Sequence, residues 1–339
     1  MAASLTGSGA ILSVRDLATH FPTRDGVVRA VDGVSFDLFP GRTLGIVGES
    51  GCGKSVMTRS ILRILDPPGR IVSGSMMLHR AGGSVDLAAL AHDGEEIRAI
   101  RGKEIALIFQ EPMASFSQYY TVGDQIMEAI RLHSGATKAA ARKQAIEGLR
   151  RVGIPNAERR IDEYPFQLSG GLRQRVLIAM ALACEPRVLI ADEPTTALDV
   201  TTQAQVLDLL RELRAQAGLS LILITHDMGV IAEMADDVVV MYLGRAVETG
   251  PVDAIFHDPR HPYTRALLRS IPSVDAVPRA RLATMPGAIP HPLNRPSGCP
   301  FHPRCDSAIA GVCDRDMPRA IALADGRSVA CVLHAAHAA

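Results

Sequence analysis

The chain has 339 residues, 47% of them hydrophobic, and its 36 Lys and Arg are balanced by 36 Asp and Glu. That length leaves room for one large core and a smaller appendage, and the even charge balance argues against a nucleic-acid or anionic-membrane partner. The longest apolar run, Val176 to Cys184, is far short of the roughly 20 residues that span a bilayer. The opening MAASLTGSGAIL lacks the basic and long apolar regions of a signal peptide. A cytoplasmic location is expected, where cysteines stay reduced or bind metals.

In chain order, ILSV from Ile11, VSFDLF from Val34 and TLGIVG from Thr43 read as strands. GESGCGKS follows, with Gly48, Glu49, Ser50, Gly51, Cys52, Gly53, Lys54 and Ser55 fitting G-x-x-x-x-G-K-[ST] between a buried strand and the helix VMTRSILRIL. Such a turn offers successive backbone N–H groups and a helix N-terminus to a polyphosphate. Lys54 adds a point charge between the outer phosphates and the Ser55 hydroxyl holds Mg²⁺, so a nucleotide is the expected ligand. Pro67-Pro68-Gly69 ends the helix, and IVSGSMML and EIALIFQ read as further strands.

From Gly123 to about Arg160 the pattern is helical, with DQIMEAIRLH and AARKQAIEGLRRVGI carrying their basic residues on solvated faces. Strand and helix alternate again from Gly170: RVLIAD, a helix from Val200 to Ala217, SLILIT, and two closing strands in ADDVVVMYLGRAVETG. Continuous apolar runs of this kind suit parallel strands buried on both faces. Near Pro251 the composition shifts to a stretch rich in Pro, His, Arg and Cys that reads as a small loop-rich appendage.

RVLIAD ends in Asp192, followed by Glu193, which is what a Mg-nucleotide site needs at the C-terminal end of a strand. Asp192 would hold the metal through water, and Glu193 would orient and polarise the attacking water. Between the two motifs lies LSGGLRQR, Leu168 to Arg175. With it, the chain resembles the ATP-binding cassette ATPases from about Leu12 to Gly250. The resemblance implies an α/β fold: a P-loop NTPase nucleotide-binding domain over residues 1–250, with an antiparallel β subdomain and a helical subdomain at about 115–180. It also assigns roles. Gln110 touches Mg²⁺ and the attacking water, and Ala197-Leu198-Asp199 crosses a dimer interface. His226 contacts the γ-phosphate, and Phe21 stacks on adenine. Ser169, Gly170 and Gly171, with Gln174 in the same string, form a second phosphate cradle facing the ATP held by a partner subunit. Dimerisation is then part of the chemistry.

Cys52 lies in the phosphate loop as a small filler and Cys184 ends an apolar helix as a core residue. Cys299, Cys305, Cys313 and Cys331 all fall in the last 41 residues, where a local set of thiols suggests metal binding. Their spacings of five, seven and seventeen intervening residues do not fit the paired cysteines of most zinc sites. Four thiolates suit an iron–sulfur cluster, with zinc and unligated or oxidised thiols as alternatives and His302 as a possible substitute ligand. HPYTRALLRSIP and CPFHPRC resemble the C-terminal region of oligopeptide and dipeptide permease ATPases, some of which hold a 4Fe-4S cluster there. Residues 251–339 would form this small Cys-containing C-terminal domain.

The resemblance implies the ATP-hydrolysing subunit of an importer for peptides or a related solute such as nickel. Its partners would be a second ATPase subunit, two transmembrane permease subunits and, indirectly, a solute-binding protein. It would sit at the cytoplasmic face of the bacterial inner membrane. Phe116-Ser117-Gln118-Tyr119 departs from the usual family pattern beside the glutamine loop, which bears on the choice of permease. A rival reading, a cassette ATPase acting on ribosomes or nucleic acid, would call for two fused cassettes or a coiled-coil insertion, and neither is present in the sequence. A second rival makes the cysteine tail a redox sensor of the ATPase.

Overall fold

The first elements of the described residues form a long hairpin, β1 (Leu12–Thr23) and β2 (Gly26–Leu38), closed at Thr23 and Gly26. The computed structural model describes residues 9–110, 115–196, 198–271 and 285–337. After the hairpin come β3 (Thr43–Val47), α1 (Lys54–Ile61), β4 (Arg70–Arg80), β5 (Gly83–Asp86), α2 (Glu95–Ile100) and β6 (Ile105–Ile108). The helical stretch holds α3 (Val122–Ser134), α4 (Lys138–Arg151), α5 (Ala157–Arg160) and α6 (Gly170–Leu182). Then follow β7 (Val188–Asp192), α7 (Val200–Ala217), β8 (Ser220–Thr225), α8 (Met228–Met234), β9 (Asp237–Tyr242) and β10 (Arg245–Pro251). The tail adds α9 (Val252–His257), α10 (Pro262–Arg269), β11 (Ile321–Ala322) and β12 (Ser328–Val329).

These elements form two units, one built from residues up to 39, 43–89 and from 225 onward, the other from 40–42 and 90–224. In the first, β2, β1, β4 and β5 make an antiparallel sheet in that order. β1 pairs with β2 through three register shifts, and Asp16 takes the left-handed conformation at one of them, with φ 46°. Bulges of this kind break the two-residue alternation of side chains. All five residues of β3 are buried, and it runs parallel to β9. β10 and then β12 and β11 continue this second sheet in antiparallel fashion.

The tail is thus built into the first unit. Tyr263 and Phe301 are buried with Val47, Val238, Val240 and Tyr242 in one hydrophobic cluster. His261 caps α10 through its ring, Nδ1 accepting from the Tyr263 N–H at 3.0 Å. Burial pulls the His261 pKa down to about 3, which keeps the ring neutral and able to accept.

In the second unit β8, β7 and β6 lie in that order as parallel strands. Every residue of β7 and β8 is buried, which is why both read as unbroken apolar runs. The helices are delimited by side-chain caps: Thr121 accepts from the Asp124 N–H, Thr137 from the Ala140 N–H and Asp199 from the Thr202 N–H. Gly135 and Gly218 end α3 and α7 in the left-handed conformation. Among the described residues no helix is long and apolar enough to cross a membrane.

Candidate nucleotide site

In the first unit β3 delivers the chain into the phosphate loop and α1 carries it away. Gly53 precedes α1 with φ 103°, and a Cβ there would lie 2.1 Å from the Ala30 carbonyl oxygen. A Cβ on Gly48 would come within 2.2 Å of the Met241 carbonyl oxygen. The loop therefore lies against backbone on one side, and only glycine permits that approach. The Lys54 side chain is buried and curls over the turn, its ammonium donating to the carbonyls of Gly48 at 2.7 Å and Glu49 at 3.3 Å. Ser50 and Gly51 are exposed at the tip and Ser55 is half-buried in the first turn of α1. Burial raises the Cys52 thiol pKa against the lowering pull of Lys54, so this side chain is a neutral filler.

Two residues that sequence reasoning did not place here touch the loop. The Glu49 N–H donates to the Tyr263 hydroxyl at 2.9 Å. The Glu49 carboxylate accepts from both terminal nitrogens of Arg304, at 2.7 and 3.0 Å. Phe21 lies on β1 opposite Val28, its ring against Gly69. His226 is exposed just beyond β8, and Asp227 after it caps α8 by accepting from the Gly229 N–H at 2.8 Å.

The second unit brings Gln110 and Glu193 together. Gln110 follows β6, and its Nε2 donates to Glu193 Oε2 at 3.1 Å. Thr196 Oγ1 donates to the same oxygen at 2.9 Å. Glu193 has a φ of 48°, an uncommon conformation for a residue with a side chain, and its N–H donates to the Ile224 carbonyl at 2.9 Å. The turn redirects the chain after the buried Asp192, which is 5% exposed at the end of β7. On this unit Asp192 and Gln110 offer oxygen ligands, the chemistry that suits a hard cation such as Mg²⁺.

On the same unit Ser169 caps α6, a 13-residue helix that begins at Gly170. Ser169 and Gly170 are exposed, whereas a Cβ on Gly171 would meet the Thr202 methyl at 2.7 Å. Asp199 caps the neighbouring α7, and the hydrogen bonds from Thr202 hold its carboxyl below the usual carboxylate range. Gln174, on α6, is 1% exposed. Of the Ala197-Leu198-Asp199 stretch, Ala197 is outside the described residues, as are 111–114 and 272–284.

The four tail cysteines line one small apolar cavity together with Phe301, His302 and Val332. The Cys299 N–H donates to the Cys313 carbonyl at 2.8 Å, which draws the first and third of these cysteines together. All four thiols are free. Burial pushes the Cys299 thiol up to about 11, with the neighbouring Cys331, Cys313 and Cys305 adding to the rise, and burial also raises Cys305 and Cys331. Among the described residues no group of three or more His, Cys, Asp or Glu could hold a single metal ion. Around zinc, thiolates at 2.3 Å from the metal would have to stand only about 3.8 Å apart.

Residues 31–196 match the family model described as ABC transporter, and residues 247–313 match that of the oligopeptide/dipeptide transporter C-terminal region. The chain is 48% identical over 322 residues to the dipeptide transport ATP-binding protein DppD of Escherichia coli K12, covering 95% of this chain and 96% of DppD. Among solved structures it is similar to the dimeric bacterial ABC transporter cassette MJ0796, at 25% identity and a TM-score of 0.62 over 71% of this chain and 98% of that one. The post-hydrolysis dimer of the same cassette, bound to ADP and Pi, aligns with a TM-score of 0.62 at 26% identity, covering 71% of this chain and 98% of that one.

Proposed function

The chain belongs to the ATP-binding cassette family of oligopeptide and dipeptide transporter subunits, and we propose that it powers peptide import by hydrolysing ATP as one half of a cassette dimer. The observation that carries this is the likeness to DppD along 95% of the chain, cassette and tail together. The partners are a second cassette, two transmembrane permease subunits that place the protein at the cytoplasmic face of the bacterial inner membrane, and a peptide-loaded binding protein.

The backbone N–H groups of residues 48–53 and the Lys54 ammonium take the ATP phosphates, with Phe21 at the adenine. Ser55 on the first unit, and Asp192 and Gln110 on the second, are the residues that would hold Mg²⁺, which would neutralise the charge that develops on the phosphates. Glu193 orients the attacking water and accepts its proton, and Gln110 with Thr196 fixes the carboxylate that does so. His226 reads the γ-phosphate. Ser169 and Gly170 at the start of α6 offer a hydroxyl, backbone donors and a favourable dipole to the nucleotide of the partner cassette. Gly171 permits close packing on Thr202, and Gln174 is buried on the same helix. The exposed Tyr119 and Tyr120, 89% and 61% accessible, form the surface offered to the permease beside the glutamine loop.

Membrane vesicles holding the assembled transporter test the transport reading. ATP turnover should rise several-fold when the binding protein carries a dipeptide or oligopeptide, and labelled peptide should accumulate only with ATP. Stimulation by nickel complexes instead, or by no solute, would sink it.

The 251–339 region is proposed as a cluster domain, with Cys299, Cys305, Cys313 and Cys331 as ligands of a 4Fe-4S group. One shared apolar cavity lined by all four thiols supports this. Protein purified without oxygen should hold about four irons per chain, and Cys299→Ser should lose iron together with the visible chromophore. Iron-free wild-type protein with the four thiols reactive as free cysteines would remove the cluster.

A further inference from the structure

We propose that Arg304 and Tyr263, from the tail, are positioning residues for the phosphate loop, Arg304 by neutralising the Glu49 carboxylate that would otherwise oppose the ATP phosphates and Tyr263 by anchoring the Glu49 backbone. The proposal rests on the reading that residues 48–55 receive the nucleotide phosphates. Glu49 presents a carboxylate beside the place where polyphosphate binds, which by itself opposes an anionic ligand. Arg304 meets that carboxylate in a bidentate fork at 2.7 and 3.0 Å, with the Arg304 side chain 4% exposed and that of Glu49 22% exposed. An exposed ion pair contributes little, but a fork shielded this far from water is strong and costly to break from one side.

The guanidinium is itself fixed on all sides. Its Nε donates to the Pro286 carbonyl at 3.0 Å and a terminal nitrogen to the Tyr242 hydroxyl at 3.3 Å. Tyr242, Tyr263 and Phe301 pack ring against ring, with centroids 4.7 to 5.3 Å apart. Tyr263 then uses its hydroxyl to accept from the Glu49 N–H, so the tail holds both the backbone and the side chain of one loop residue. A second tether meets the other end of the loop: Arg295 donates to Asp32 at 2.6 Å, the Asp32 N–H to the Gly244 carbonyl at 2.8 Å, and the Gly244 N–H to the Cys52 carbonyl at 2.8 Å.

Arg304 also directly precedes Cys305 in the chain. The short helical turn that places the guanidinium, His302 to Arg304, lies between Cys299 and Cys305. Order in the cysteine segment is thereby tied to order in the loop, and the tail becomes part of the nucleotide site rather than an attachment to it.

The test is MgATP affinity and steady-state hydrolysis of the full-length chain carrying Arg304→Gln, Glu49→Gln, both together, Tyr263→Phe, and Lys54→Ala as reference. Arg304→Gln should raise the Kd and KM for MgATP about tenfold with kcat changed less than about threefold. The double variant, with the uncompensated carboxylate gone, should return to within about threefold of wild type. Tyr263→Phe, which removes one hydroxyl and keeps the ring, should weaken binding about fivefold and covers the case in which Arg304→Gln fails to fold. Unchanged affinity in Arg304→Gln and Tyr263→Phe, or a loss in Arg304→Gln that the double variant fails to relieve, overturns the proposal. Lys54→Ala should abolish binding. Binding by Lys54→Ala at wild-type strength would show instead that the loop is not the phosphate site, and the proposal would fall with that reading.

Discussion

Glu193→Gln should lower ATP turnover about a hundredfold or more while leaving MgATP affinity within about threefold of wild type. The side chain is held by donors on one oxygen, Gln110 Nε2 at 3.1 Å and Thr196 Oγ1 at 2.9 Å. A glutamine can direct its carbonyl oxygen to the same two donors, so the shape of the site survives. What disappears is the negative charge proposed to orient the attacking water and take its proton. The backbone at this position is in the left-handed region and anchored to Ile224, so it is insensitive to the change of side chain. The expected product is a cassette that binds ATP, pairs, and stays paired. Phosphate release together with the size of the ATP-bound species checks this, and a turnover within about threefold of wild type would mean that Glu193 is not the base.

The motifs to which this chemistry is assigned are legible as motifs because each is local. A strand, a glycine turn and a helix follow one another without a break from Thr43 to Ile61, and the apolar run into Asp192 and Glu193 is shorter still. The opening hairpin was only partly legible. ILSV and VSFDLF mark its base, but β1 continues to Thr23 and β2 begins at Gly26, because register shifts interrupt the alternation that would have announced them. The helix after the phosphate loop reads to Leu65 by apolar spacing but ends at Ile61. Leu62 caps it, and Arg63 turns into the left-handed conformation at φ 56°. α2 and β5 are six and four residues long, too short for periodicity to mark them.

The tail shows the limit most clearly. Its Pro, His and Cys content reads as a loop-rich appendage, yet Tyr263 is fully buried and touches Glu49 across 214 residues of sequence, and Arg304 reaches the same residue across 255. No local pattern encodes a contact of that span. The one hint available was chemical: an arginine between two cysteines in CPFHPRC, and an acid inside a phosphate loop, are each residues in need of a partner.

Gly53→Ala should be the most damaging single-methyl change in the loop, raising the Kd for MgATP about a hundredfold, with Gly51→Ala as the matched comparison. Both glycines have positive φ, 103° and 78°, so alanine at either carries a backbone penalty of about 1–2 kcal/mol. Their surroundings differ. A Cβ at Gly51 meets nothing within 4 Å, whereas at Gly53 it lies 2.1 Å from the Ala30 carbonyl and 3.5 Å from the Gly244 Cα. Backbone cannot rotate away as a side-chain end can, so either β2 withdraws or the turn before α1 opens. Opening the turn displaces the Gly53 carbonyl that accepts from the Met57 N–H at 3.0 Å, and with it the helix start and Lys54. Strain alone predicts a loss of about tenfold for Gly51→Ala, and the collision adds the rest at Gly53. Equal affinities for the two variants, measured by equilibrium binding on chains of matched melting temperature, would mean that close packing on β2 does not shape the phosphate site.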